Sequence, residues 1–154
     1  MRKQLKSFST AFQGLWQAIR SEGHLRFHIV AAVYVITFSF FYEMSALRWA
    51  VVLILIALII SAELFNTALE TLCDKVTTER DPMIKKVKDV SAAAVLILSA
   101  AAVGAAFLLY FDLERINYIF NFFISNPVLL ILFIISLIIS VLFISGQFTK
   151  GKKN

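Results

Sequence analysis

Residues 49–74 read WAVVLILIALIISAELFNTALETLCD, and the change of character halfway along that stretch decides the fold. From Trp49 to Ala62 it carries no charge; then, with no Pro or Gly between, it passes into a segment holding Glu63, Asn66, Thr67, Glu70 and Asp74. Those positions recur at helical spacing and share one face. Each ionisable group at membrane depth costs a few kcal/mol or more, so such groups usually face a protein interior and mark a site.

The spacing also limits what the acids can do. At a rise of about 1.5 Å per residue, Glu63 and Glu70 stand roughly 10 Å apart along the helix axis. They cannot both ligate one Mg²⁺, whose ligands sit at about 2 Å. Asp74 marks the membrane edge, which puts Glu70 about one turn in and Glu63 about three turns in. Glu22, ending the N-terminal segment on the same side, is the natural partner for Glu70. That pair could hold a divalent metal near the water interface, while deeper Glu63 takes a proton from something arriving through the lipid and Asn66 orients either group. Lys88 and Asp89, closing the segment after this helix, are placed to meet phosphates. No Walker-type glycine loop is present, which excludes a P-loop nucleotidase.

Outward from that stretch, the composition agrees. The chain has 154 residues, 60% of them hydrophobic, with a mean hydropathy of +0.82, and the apolar residues form long runs instead of amphipathic patterns. This predicts an all-α membrane protein: an N-terminal amphipathic interfacial helix followed by a bundle of transmembrane helices. The interfacial helix covers 1–22, with Leu5, Phe8, Phe12, Leu15, Trp16 and Ile19 on its apolar side and lysines and glutamines elsewhere. Spans follow at about 27–42, 47–73 and 90–111, making a membrane domain of residues 1–111. The third span, with its SAAAV and SAAAVGAA stretches, is rich in small residues that let another helix approach closely. Residues 112–154 form a C-terminal extension with a fourth span at about 127–148; the uncharged residues 117–126 before it lie at the far interface.

Charge sets the orientation. Thirteen of the fifteen basic residues fall before the first span, between the second and third, or at the C-terminus; only Arg48 and Arg115 fall in the other connections. That side is cytoplasmic and both termini lie on it. Topology explains the basic bias, so nucleic acid is not expected as a partner. Cys73 is the only cysteine, which excludes an intrachain disulfide. The first 26 residues have no continuous apolar core and no small-residue cleavage site, and do not read as a signal peptide.

With these residues in hand, the chain resembles the small prokaryotic diacylglycerol kinase family, whose members include undecaprenol kinases. AELFNTALETLCD (62–74), the Lys88-Asp89 pair and the SAAAVL that follows match the family signature, and KSFSTAFQGL (6–15), RSE (20–22) and RFH (26–28) match its opening. The likeness runs over about residues 3–111. It implies a homotrimer of three-span subunits in the bacterial inner (cytoplasmic) membrane, with active sites between subunits that move the γ-phosphate of MgATP to a lipid hydroxyl. By the same resemblance Glu63 is the catalytic base and Asn66 the motif asparagine. Glu22 and Glu70 bind the metal, and with Lys3, Glu79, Arg80, Asp81, Lys88 and Asp89 they contact the nucleotide. Two features depart from the pattern. Lys3 stands where the family often has arginine, keeping the charge without the planar fork, and the chain continues past the third span.

The acceptor stays open between diacylglycerol and undecaprenol, since both present a primary hydroxyl at the interface. The same residues carry a non-enzymatic alternative, a small proton-coupled transporter or channel subunit with Glu63 as the titrating group. They also carry a purely structural one, in which the polar face bonds neighbouring helices.

Overall fold

A computed structural model describes residues 2–77 and 79–147, and the side chains of all of these except positions 2, 3 and 5. Among the described residues the chain is all-helical, with six helices: α1 (Arg2–Ser21), α2 (Gly23–Ser39), α3 (Ala46–Val76), α4 (Pro82–Tyr110), α5 (Leu113–Ser125) and α6 (Pro127–Ile144).

The breaks between helices follow local chemistry. α1 and α2 are separated by the single extended residue Glu22 (φ −104°, ψ 119°), followed by Gly23. α3 starts at Ser45, whose side chain accepts from the Arg48 amide. α4 starts at Asp81, which accepts from the amides of Met83 and Ile84, with Pro82 at the first helical position where its missing N–H costs nothing. The charged segment after Asp74 is therefore mostly helix: α3 runs on to Val76 and α4 begins eight residues ahead of the expected third span, with Thr77 and residues 79–81 outside either helix. Asp112 caps α5 at the Arg115 amide, so Glu114 and Arg115 lie on a helix.

α3 and α4 form an antiparallel hairpin along most of their length, α2 packs on α3, α6 packs on α2, and α1 lies against α2 and α3. α3, α4 and α6 are long and apolar enough to cross a membrane; α2, with 17 residues, is a shorter apolar helix. At about 1.5 Å per residue α3 reaches roughly 46 Å, against a hydrocarbon core of about 30 Å, so its polar C-terminal turns extend beyond the apolar layer.

Little apolar surface is buried within one copy. Among the described residues only Ala18, Leu25, Val52, Cys73 and Val95 are buried hydrophobics, while side chains such as Leu108 (84% exposed) and Phe107 face outward. Such a surface is stable only against lipid or further protein. The small residues of α4 divide the same way: Ala102, Ala105 and Ala106 line an apolar cavity shared with α2 and α3, whereas Ala93, Ala94 and Ala101 are exposed and a side chain at Gly104 would meet open space.

The extension is joined to the rest through α2. Tyr34 Oη lies 2.9 Å from Ser136 Oγ and 3.1 Å from Ser140 Oγ, and Phe38, Phe41, Phe122, Phe123 and Phe133 form an aromatic cluster where α2, α5 and α6 meet. At that far end the Ser39 hydroxyl contacts the Tyr110 hydroxyl, Tyr42 donates to the Tyr110 carbonyl, and Arg115 pairs with Glu43 at 3.3 Å.

Candidate active site

The polar face of α3 is turned into protein. Glu63 is 4% exposed and Asn66 is 8% exposed, although most apolar side chains around them on the same helix are open. A carboxylate does not bury itself beside exposed leucines for packing reasons, because desolvation opposes it. The α1–α2 elbow lies over this part of α3, with Glu63 within electrostatic reach of His24, Glu70 and Glu22.

One turn further along, Asn66 ties three elements of the site together. Its Nδ2 donates to Glu70 Oε1 at 3.1 Å, and the Ser91 hydroxyl of α4 donates to its Oδ1 at 2.7 Å. Only this amide orientation satisfies both neighbours, since a carboxylate offers acceptors alone. Glu70 thereby has one oxygen fixed by Asn66. The Ser91 hydroxyl also lies 2.9 Å from the Lys88 carbonyl, so the start of α4 is registered against the acidic face of α3. Lys88 forms an ion pair with Asp74 and lies in the field of Glu70.

From the other side comes Glu22. It occupies the position that caps α2, where Asp, Asn, Ser and Thr are the effective residues, and its side chain makes no capping bond. Its carboxylate is half-buried at a helix N-terminus, where negative charge is favoured. Among the described residues no three His, Cys, Asp or Glu side chains close on one point as a full protein cage would require; His24 and His28 do not form one either. The donors present are hard carboxylate oxygens, of the kind that bind Mg²⁺ one or two at a time while phosphates and water complete the shell. The residues fit that ion in that mode.

The remaining expected residues are placed as follows. Glu79, Arg80 and Asp81 lie exposed just ahead of α4, where the Glu79 amide bonds Thr77 Oγ1 and Asp81 is occupied in capping α4. Asp89 is exposed on α4. Lys3 falls in α1, and its side chain lies outside the described residues. One residue that the sequence reading does not assign to the site, Ser91, helps to build it. Ser91 stands one helical turn after Lys88, a spacing that could have pointed to it.

Below Glu63, toward the membrane centre, α2, α3 and α4 line an open-sided apolar cavity of about 300 Å³. Phe27, His28, Ile59, Ile60 and Ala102 are among its walls, and Ile59 and Ile60 are one turn from Glu63. The site thus has a wet acidic end, a buried carboxyl and a greasy pocket in that order along α3.

A family model described as prokaryotic diacylglycerol kinase matches residues 9–110. The chain is 33% identical over 110 residues to the undecaprenol kinase of Bacillus subtilis, covering 71% of this chain and 89% of that protein. It is 34% identical over 100 residues to a diacylglycerol kinase of Synechocystis, covering 64% of this chain and 57% of that one. To the diacylglycerol kinase of Haemophilus influenzae it is 29% identical over 93 residues, covering 60% and 79%. The matched family segment includes α2, α3 and α4 whole and ends before α5 and α6.

Proposed function

The chain belongs to the prokaryotic diacylglycerol kinase family, and from that membership and the acidic face of α3 we propose that it is an integral-membrane lipid kinase. The reaction is transfer of the γ-phosphate of MgATP to the primary hydroxyl of a membrane lipid alcohol, diacylglycerol or undecaprenol. The observation that carries this reading is the burial of Glu63 in a spanning helix, in the field of Glu22 and Glu70.

In this reading the lipid alcohol lies with its chain in the cavity of α2, α3 and α4 and its hydroxyl at Glu63. Glu63 takes the hydroxyl proton as the lipid oxygen bonds to the γ-phosphorus; the bond from that phosphorus to the bridging oxygen breaks, and ADP leaves. Such transfers need positioning and charge neutralisation more than covalent chemistry. Glu70, oriented by Asn66, and Glu22, held at the elbow, would hold Mg²⁺, which when bound offsets phosphate charge. Lys88 leaves Asp74 for a phosphate oxygen. That exchange costs little, because solvent screens an exposed ion pair. Lys3, Glu79, Arg80, Asp81 and Asp89 border the nucleotide on the cytoplasmic side. The outward small residues of α4 suit close approach of another copy, which supports a homotrimer with sites between subunits.

The test is an assay with labelled ATP in detergent, offering diacylglycerol and undecaprenol separately to the intact protein and to Glu63→Gln. The intact protein should label at least one lipid. The variant should lose about 100-fold or more in turnover, the usual contribution of a general base, with MgATP binding within about twofold of the intact protein. Undiminished turnover in Glu63→Gln removes that residue from the mechanism. Ion flux in proteoliposomes without ATP consumption would overturn the kinase reading in favour of a transporter.

A further inference from the structure

Arg26 is 5% exposed, and its guanidinium sits where two helices end. Nη1 donates to the carbonyls of Ile19 at 2.9 Å and Arg20 at 3.1 Å, in the last turn of α1. Nε donates to the carbonyl of Ile144 at 3.2 Å, the last residue of α6 and 118 positions away in the chain. A helix C-terminus leaves carbonyls without partners and carries partial negative charge, so a cation with several N–H groups answers two such ends at once. The same places lie close together at Gly23, where an added Cβ would stand 3.9 Å from the Ile144 carbonyl and 3.6 Å from Arg26 Nη2. The end of α6 is therefore seated on the elbow itself.

The Glu22 main chain is held among these bonds. Its amide donates to Ala18, its carbonyl accepts from the Arg26 amide, and the Arg26 side chain reaches back past it to α1. Further along, the Tyr34 hydroxyl holds α6 against α2 through Ser136 and Ser140. We infer that α6 braces the α1–α2 elbow through Arg26, and that Arg26 is a positioning residue fixing Glu22 for the metal–nucleotide. This rests on the reading of Glu22 as a metal ligand. It gives the extension, which lies outside the matched family segment, a role in substrate affinity.

The test uses the full-length protein in lipid nanodiscs, with Mn²⁺ affinity read by electron paramagnetic resonance and MgATP dependence by turnover. Arg26→Lys keeps the charge but cannot fork to three carbonyls. It should weaken Mn²⁺ binding and raise the MgATP KM by about tenfold, the equivalent of one charge-assisted hydrogen bond, while kcat at saturation stays within about threefold. Added to Glu22→Gln, Arg26→Lys should cause no further loss of Mn²⁺ affinity, because it acts through that carboxylate. Tyr34→Phe, remote from the elbow, should move both constants the same way by a smaller factor, and it carries the test alone if Arg26→Lys does not fold. Unchanged Mn²⁺ affinity, additive losses in the double variant, or a fall in kcat at constant KM would each overturn the brace. Mn²⁺ binding is read without turnover, so failure of the kinase reading, an intact protein that labels no lipid, is seen separately.

Discussion

At the scale of single residues, Asn66 and Lys88 show how the site is held ready. The Asn66 amide has a donor side toward Glu70 and an acceptor side toward Ser91, a division that no carboxylate can reproduce. Asn66→Asp would set two acids against each other, so it should lower the unfolding temperature in detergent at neutral pH further than Asn66→Ala. The alanine variant should lose about 1–2 kcal/mol, the worth of the bonds removed; equal losses would show that the Glu70 contact contributes nothing. Lys88 and Asp74 pair with side chains 34% and 68% exposed, which makes the pair cheap to break. Lys88→Ala should raise the MgATP KM by about tenfold or more, as loss of a charge-assisted bond to phosphate does, whereas Asp74→Asn should shift it by less than about threefold. A larger shift from Asp74→Asn would mean that Asp74, not only Lys88, meets the nucleotide.

Among the helices, the start of α4 has the clearest division between local and functional work. Asp81 accepts two amides of the first turn, a role Asn fills about as well as Asp, while Ala costs about 1 kcal/mol. Asp81→Ala should therefore lower stability and Asp81→Asn should restore it. If Asp81→Asn is stable yet binds MgATP as poorly as Asp81→Ala, the charge serves the nucleotide and not only the helix. The elbow between α1 and α2 shows the converse. Glu22 stands where a cap belongs and does not cap, which leaves its carboxylate for another purpose. α2 itself is short, 17 residues or about 26 Å, against a hydrocarbon core of about 30 Å. The turn at 40–45 and the aromatic cluster with α5 and α6 complete the depth that the helix lacks.

For the molecule as a whole, the expectation is that α2, α3, α4 and α6 alternate in direction with both termini in the cytoplasm. In cells carrying Cys73→Ala, an impermeant maleimide should label Glu114→Cys from outside and should label Asn154→Cys only after permeabilisation; the reverse pattern would invert the topology. Much of this was legible in the sequence. Long uncharged runs announced the apolar helices, and helical spacing put Glu63, Asn66 and Glu70 on one face, because both signals are local and repeat along the chain. The caps at Asp81 and Asp112 came only with the structure, and α3 and α4 run on beyond the hydropathy runs, since charged residues extend a helix beyond the membrane without altering its periodicity. What only the tertiary structure decided is which distant groups meet. Ser91 on Asn66, the elbow over Glu63, and above all Arg26 on the last carbonyl of α6 depend on how helices pack across the whole chain. Backbone carbonyls look alike in every sequence, so a contact made to one of them leaves no pattern to read.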